Sequence, residues 1–322
     1  MDPLKRFLVA VAAIAVGGVS AAAEQPAHIA GPEQPVPTPA ADGTLNLLTY
    51  NVGFMRIALL GIVFYQPAAF VDERFASLPE ALLSSGVDTI ALQEAFGRDR
   101  KETLAAEVRT TYPYAAWWPK TSRLRQSSGL MVLSKWPITA ARYEQFANNP
   151  ANEAMVTRKG FLEAIVELAG RPRLRVFDFH MTAGGNTAAS AAASTKAVRA
   201  GQIRQVLAAA ARPFDGATIL LGDLNAGPGA SDENYRLVRD TGYVDVFAAA
   251  TGDSAAADHL TWDPRQLLIA NGPRRHTVPR RIDHAFLPSV EGERIAIEGV
   301  RIVFKINAVP VEGGRRVPAS DH

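Results

Sequence analysis

Short apolar runs alternate along this chain with stretches whose apolar side chains recur every three or four positions. The runs Leu45–Tyr50, Val87–Leu92, Leu130–Leu133, Phe161–Leu168, Leu174–Phe179, Ile219–Leu221, Ile282–Leu287 and Val300–Phe304 predict buried strands. Ser77–Ser85 and Thr103–Thr110 predict helices. Ala188–Ala211 predicts a longer Ala-rich helix, with Val198, Ile203, Val206 and Leu207 along one side. Helices alternate with strands early, and strands adjoin strands later. That order predicts an α/β fold with mixed sheets rather than an all-β barrel. No repeat at a period of roughly 20 to 50 residues is visible.

The N-terminus has a different pattern. Lys5 and Arg6 precede an apolar run from Phe7 to Val16, and small residues follow to Ala23. This layout predicts a signal peptide over 1–23, and its apolar part is short for a spanning helix. The protein is therefore expected to be exported, to the periplasm or the medium. Pro26, Pro32, Pro35, Pro37 and Pro39 make 24–43 an expected Pro-rich linker. A single catalytic domain is expected over 44–322.

Composition narrows the chemistry. Of 322 residues, 48% are apolar and 20% charged, which excludes disorder, collagen and coiled coil. The formal net charge is +2, which gives no reason to expect a tail-like nucleic-acid binder. There is no cysteine, so disulfides, thiol nucleophiles and thiolate metal sites are excluded. Any metal must take oxygen or imidazole ligands, which points to hard cations.

Polar residues stand directly where apolar strands end. They are Asn51, Glu94, His180, Asp223 with Asn225, and Asp283. Strand ends in α/β sheets are where side chains converge on a cleft. Asn and Asp also merely punctuate strands, but six such residues of carboxylate, amide or imidazole type suit metal-assisted attack of water on phosphate.

These residues carry a resemblance. Tyr50-Asn51, Leu92-Gln93-Glu94, His180, Gly222-Asp223-Leu224-Asn225, Arg281-Ile282-Asp283-His284 and Ser320-Asp321-His322 follow the order of motifs in the endonuclease/exonuclease/phosphatase superfamily. The resemblance implies a deoxyribonuclease I-like four-layer sandwich, two packed mixed β-sheets flanked by helices. Ser128–Ile138, Lys159–Ala164 and Leu260–Pro264 look in addition like segments of neutral sphingomyelinases.

The roles that follow are what the resemblance implies. Glu94 would be the principal ligand of Mg²⁺ (or Mn²⁺), with Asn51 beside it on the metal or the phosphate. Asp223 would position or deprotonate water, and Asn225 would bind phosphate. Asp283 would orient His322, which would be either the general base or the stabiliser of the anionic transition state. His180 would donate to the phosphoryl oxygens and so bind substrate. Asp321 would hold the phosphate network or support the metal. Two departures stand out. Asp178 occupies a position where the family usually has Asn, and His322 is the last residue, where a chain end beside a carboxylate is expected to fray. His259 reads as a loop residue and His284 as packing.

Phe54, Met55, Ile57, Leu59, Leu60, Ile62, Val63, Phe64, Tyr65 and Phe70 follow closely after Asn51. They read either as core or as an apolar lip that meets lipid at a membrane surface. Trp117-Trp118 poses the same choice. Arg274-Arg275 and Arg280-Arg281 form the dense basic cluster, either a solvated loop or a phosphate contact. The function expected is an exported, monomeric, Mg²⁺-dependent phosphodiesterase resembling sphingomyelinase C. It would split the phospholipid sphingomyelin into ceramide and phosphocholine. The alternatives are a nonspecific nuclease or phosphomonoesterase of the same superfamily, acting on nucleic acid in the first case, or a non-catalytic lipid-binding descendant.

Overall fold

A computed structural model describes residues 24–32, 43–59, 62–119, 126–184, 189–252, 259–270, 274–289, 295–304 and 308–322. The signal peptide expected over 1–23 lies outside the described residues. The strands are β1 (Glu24–Pro26), β2 (His28–Ala30), β3 (Leu47–Asn51), β4 (Ile57–Leu59), β5 (Ile62–Tyr65), β6 (Thr89–Gln93), β7 (Tyr114–Trp117) and β8 (Met131–Ser134). They continue as β9 (Ile138–Gln145), β10 (Gly160–Val166), β11 (Arg173–His180), β12 (Gly216–Asp223), β13 (Tyr243–Asp245), β14 (Asp283–Pro288), β15 (Val309–Val311) and β16 (Arg315–Val317). The helices are α1 (Val71–Leu83), α2 (Arg98–Val108), α3 (Ala151–Val156), α4 (Ala189–Ala210), α5 (Asp232–Asp240) and α6 (Val246–Thr251).

Among the described residues the strands form a seven-stranded sheet, β1-β9-β10-β11-β12-β14-β13, and a five-stranded sheet, β2-β7-β8-β6-β3. Both are mixed, with parallel pairs β11/β12 and β3/β6. Side chains along a strand alternate between its two faces, and the central strands carry apolar side chains on both. In β6, Ile90 and Leu92 pack with Leu78, Leu82, Leu104 and Val108 of α1 and α2, whereas Ala91 faces the other sheet. In β11 and β12, Val176, Ile219 and Leu221 fill the space between the sheets. Their neighbours Phe177 and Leu220 pack with Ile203 and Val206 of α4 and Tyr235 and Val238 of α5. Alternation on both sheets therefore produces four layers, helix, sheet, sheet, helix, as expected.

Three expectations change. Residues 24–30 do not behave as a linker. Glu24–Pro26 pairs with β9 and His28–Ala30 with β7, because both sheets leave an edge there to be covered. The strand expected over Val300–Phe304 is not formed. That stretch is irregular, and Phe304 packs its ring on Tyr50, with centroids 4.8 Å apart. The apolar stretch after Asn51 divides. Phe54 and Met55 are core, whereas β4 and β5 pair as a separate ribbon on which Ile62, Val63, Phe64 and Tyr65 are all exposed. Leu60 of that stretch lies outside the described residues. Trp117 and Trp118 are both buried, which answers that choice in favour of core.

Candidate active site

Strand register gathers the polar residues. His180 lies opposite Asp223 across the parallel β11/β12 pair, and Asp223 opposite Asp283 across β12/β14. In the other sheet Asn51 lies opposite Gln93, with Glu94 next in the chain. The strand ends of both sheets thus meet at one edge of the sandwich. Asn51 joins them. Its Nδ2 lies 3.0 Å from Asp223 Oδ2, 3.2 Å from His322 Nε2 and 3.4 Å from Glu94 Oε1.

Local backbone aims these groups. Glu94 and Asn225 adopt left-handed backbone, φ 56° and 52°, a conformation costly for residues with a Cβ and concentrated at functional sites. At Glu94 the turn is fitted by Gly129, whose carbonyl accepts from Ala95 N at 2.9 Å. A Cβ on Gly129 would sit 2.8 Å from the Phe96 ring. Asn225 N donates to Asp223 Oδ1 at 2.7 Å, and Asn225 Nδ2 to Met181 O at 3.1 Å. Asp178 accepts from Gln93 Nε2 at 2.7 Å and Met131 N at 3.1 Å, tying β6, β8 and β11 beneath the site. Burial raises its carboxyl well above the usual range.

The last residue is held, not frayed. His322 Nδ1 lies 2.8 Å from Asp283 Oδ2, and its N–H donates to Ser320 Oγ at 3.1 Å. Its ring meets Trp262 edge-on, centroids 5.1 Å apart. Ser320 Oγ in turn donates to Asn51 O at 2.5 Å. Burial pulls the His322 pKa down, but bonded Asp283 and the charges of Asp223 and Asp321 outweigh it and carry the ring up to about 10. Burial, with Asp283, pushes Asp223 up to about 6. With Nδ1 bonded to Asp283, His322 presents Nε2 to Asn51 and to Asp223 Oδ2, 3.8 Å away.

One role needs correcting. His180 would have to donate through Nε2, the nitrogen that faces Asp223 at 3.5 Å and Glu94 at 3.9 Å. That nitrogen lies 3.0 Å from Lys159 Nζ, and an ammonium can only donate. Nε2 therefore accepts, and burial with the Lys159 charge holds the ring neutral. The cation at this side of the site is Lys159, which also donates to Met181 O at 2.7 Å. Its signal in the chain is its place at the head of the Lys159–Ala164 segment, with no role assigned to it there. Arg74 was equally silent. Fully buried, it donates to Ala69 O, Val52 O, Gly53 O and Ala319 O, fastening the end of β3 to the C-terminal tail.

Among the described residues two groupings suit a cation. Asp223, Asp283 and His322 offer atoms within 4.8 Å of one another, and Asp283 Oδ1 is buried without a hydrogen-bond partner while its Oδ2 is bonded to His322. The second is Glu94 with Asp321. Burial and the Asp321 charge both raise Glu94. Asp321 Oδ1 is buried without a hydrogen-bond partner, and it lies where a Cβ on Gly53 would stand, 1.9 Å away. Crowded buried carboxylates with an unmet oxygen fit a hard divalent cation. Asn51 Oδ1 accepts from Gly53 N at 3.0 Å, and its Nδ2 faces the Asp223 and Glu94 carboxylates.

Residues 48–322 match the model of the Endonuclease/Exonuclease/phosphatase family, and the chain belongs to that family. Among curated proteins it is similar to Sphingomyelinase C of Leptospira interrogans, 23% identical over 260 residues. These are 76% of this chain but 44% of that protein, so the chain spans under half of its relative's length. Among solved structures it resembles Sphingomyelinase C from Streptomyces griseocarneus, with TM-score 0.63, 22% identity, and 86% and 96% of the two chains covered. TDP2 of D. rerio, solved with a single-strand DNA product, aligns with TM-score 0.57 and 18% identity over 86% and 95%. A beta toxin variant from Staphylococcus aureus solved with bound magnesium ions aligns with TM-score 0.60 and 20% identity over 76% and 83%. At these identities the structural likenesses show the fold.

Proposed function

We propose that this protein is an exported, monomeric, divalent-metal-dependent phosphodiesterase of the sphingomyelinase C kind. It hydrolyses sphingomyelin to ceramide and phosphocholine at a membrane surface. The observation that carries the reading is the meeting of Asn51, Glu94, Asp223 and His322 at one cluster of buried polar atoms. Glu94 and Asp321 would hold Mg²⁺ or Mn²⁺, which supplies Lewis-acid polarisation of the phosphoryl oxygen when bound. Asp223 orients the attacking water and takes its proton at the carboxylate. Asn51 and Asn225 offer amide N–H groups to the phosphate. His322, oriented by Asp283, faces the negative charge that grows as water adds. Lys159 supplies a further positive charge behind His180.

The β4/β5 ribbon favours a lipid over a nucleic acid. It follows closely on the Asn51 strand, and it carries exposed apolar side chains, Ile62 at 63%. Successive strand residues point to opposite faces, so both faces of the ribbon are apolar. A protein surface covers one face, whereas lipid chains surround both. Among the described residues no helix is long and apolar enough to cross a membrane. Purified protein is expected to release phosphocholine from sphingomyelin vesicles with Mg²⁺ and to stop on adding EDTA. Glu94→Ala is expected to lose at least about 10²-fold in rate, the scale of a lost electrostatic stabiliser. Nicking of plasmid DNA with untouched sphingomyelin would transfer the reading to a nuclease.

A further inference from the structure

The basic cluster near Asp283 has no part in the chemistry above, yet one of its members reaches the site. Arg274 Nη1 lies 3.6 Å from Asp321 Oδ2, and Nη2 donates to the Tyr65 hydroxyl at 3.3 Å. Its guanidinium carbon stands 5.6 Å from the centre of the Trp262 ring, the same ring that meets His322 edge-on. The loop is fixed at both ends. Trp262 Nε1 donates to Thr277 Oγ1 at 2.9 Å, and Thr277 Oγ1 donates to Arg274 O at 2.8 Å. Trp262 and Arg280 exchange backbone hydrogen bonds, both 2.9 Å. The side chain of Arg274 keeps 29% of its surface exposed.

We propose that Arg274, seated on Trp262, selects the head-group charge of the substrate, favouring net-anionic phosphodiesters over zwitterionic phosphocholine ones. A quaternary ammonium is recognised by the face of an aromatic ring, Trp best of all. Here the guanidinium already stacks on Trp262, so an ammonium arriving there meets a like charge. Arginine stays charged under any working condition, and its fork matches anionic oxygens. The contact to Asp321 is longer than a hydrogen bond, so donors remain for a second anion. Glu94 and Asp321, which would draw a cation, are the pair assigned to the metal. Sphingomyelin is a substrate on this view, but diesters lacking the ammonium turn over faster. The selector role rests on the phosphodiesterase reading above.

The test compares two soluble diesters with one leaving group, p-nitrophenyl phosphorylcholine and bis(p-nitrophenyl) phosphate, on the full chain with Mg²⁺. Arg274→Gln is expected to cut the preference for the anionic ester about tenfold, chiefly through KM. Arg274→Lys is expected to recover part of that preference, because charge returns without the fork. Equal losses on both esters would mean that Arg274 only braces Asp321, and the proposal would fall. If the esters behave as expected but no lipid vesicle is cleaved, Arg274 keeps its role and the lipid reading fails. If the wild type cleaves neither ester, calorimetric Kd values for glycerophosphoglycerol and glycerophosphocholine decide. A preference for the first that Arg274→Gln abolishes supports the selector without the reaction, and equal Kd values end it.

Discussion

Asp245 shows how far a single residue reaches beneath this site. Its carboxylate accepts from Arg281 Nη2 at 2.8 Å and Tyr235 OH at 2.6 Å, lies 3.4 Å from His284 Nδ1, and caps α6 through Phe247 N and Ala248 N. Burial pushes its pKa up, but His284 and Arg281 outweigh burial and hold it far below the usual range. A depressed carboxyl stabilises the fold fully above its unfolded value of about 3.9 and loses that contribution as pH falls through the folded value. Asp245→Asn keeps the cap and the shape but strands buried Arg281. It is expected to cost about 3 kcal/mol at neutral pH. The gap in thermal midpoint between the two proteins should then close as pH drops below about 4, and a gap that persists would assign the loss to packing. Since Arg281 and His284 flank Asp283, this cluster also sets where His322 finds its partner. In the chain Arg281 and His284 stand within a family-like motif and His284 reads as packing, as its burial against Tyr235 and Phe286 bears out, but their tie to Asp245 is not legible there. The strand-end residues were legible because a polar group that interrupts an apolar run is conspicuous. Arg74 and Asp245 were not, because their meaning comes from partners far away in sequence.

The elements divide along similar lines. Strands buried on both faces, such as β6, β11 and β12, declared themselves as unbroken apolar runs and lie within a few residues of their expected limits. Val300–Phe304 has the same composition but takes no place in either sheet, since a run of apolar residues states burial and not pairing. Glu24–Ala30 has the opposite history. Its Pro26 discourages a strand interior but is tolerated on an edge, where the N–H need not be paired. The β4/β5 ribbon left two readings open because exposure depends on what the fold sets against it. Its substitution gives the sharpest test at this scale. Ile62→Ser with Phe64→Ser is expected to lower the rate on lipid vesicles at least about tenfold relative to the rate on a soluble diester. The underlying effect is lost apolar burial of about 1.5 to 3 kcal/mol per large side chain. A ratio unchanged from wild type would remove the ribbon from membrane contact.

At the scale of the whole molecule, the two sheets are joined at opposite ends of the described chain. Ser320, Asp321 and His322 reach from the seven-stranded side, through Asp283, to Asn51 on the five-stranded side. Residues 24–30 do the same on another edge, with β1 on one sheet and β2 on the other, one residue apart. Glu24 adds ion pairs to Arg142, at 3.1 Å, and to Arg212, and His28 packs its ring 4.5 Å from Trp117. The strap is exposed, so its ion pairs alone contribute little. Its larger effect is to cover the outer strands β7 and β9, whose free edges would otherwise template pairing with another chain. A chain beginning at Thr44 is therefore expected to fold with its site intact but to melt several degrees lower, equivalent to about 1–2 kcal/mol. It should also aggregate at concentrations where the longer chain stays monodisperse. Light scattering beside a thermal melt reads both effects. If the two forms melt and scatter alike, the strands at 24–30 merely lie on the sandwich. If the shorter form loses its diesterase rate before it melts, the strap also governs how the two halves of the site face each other.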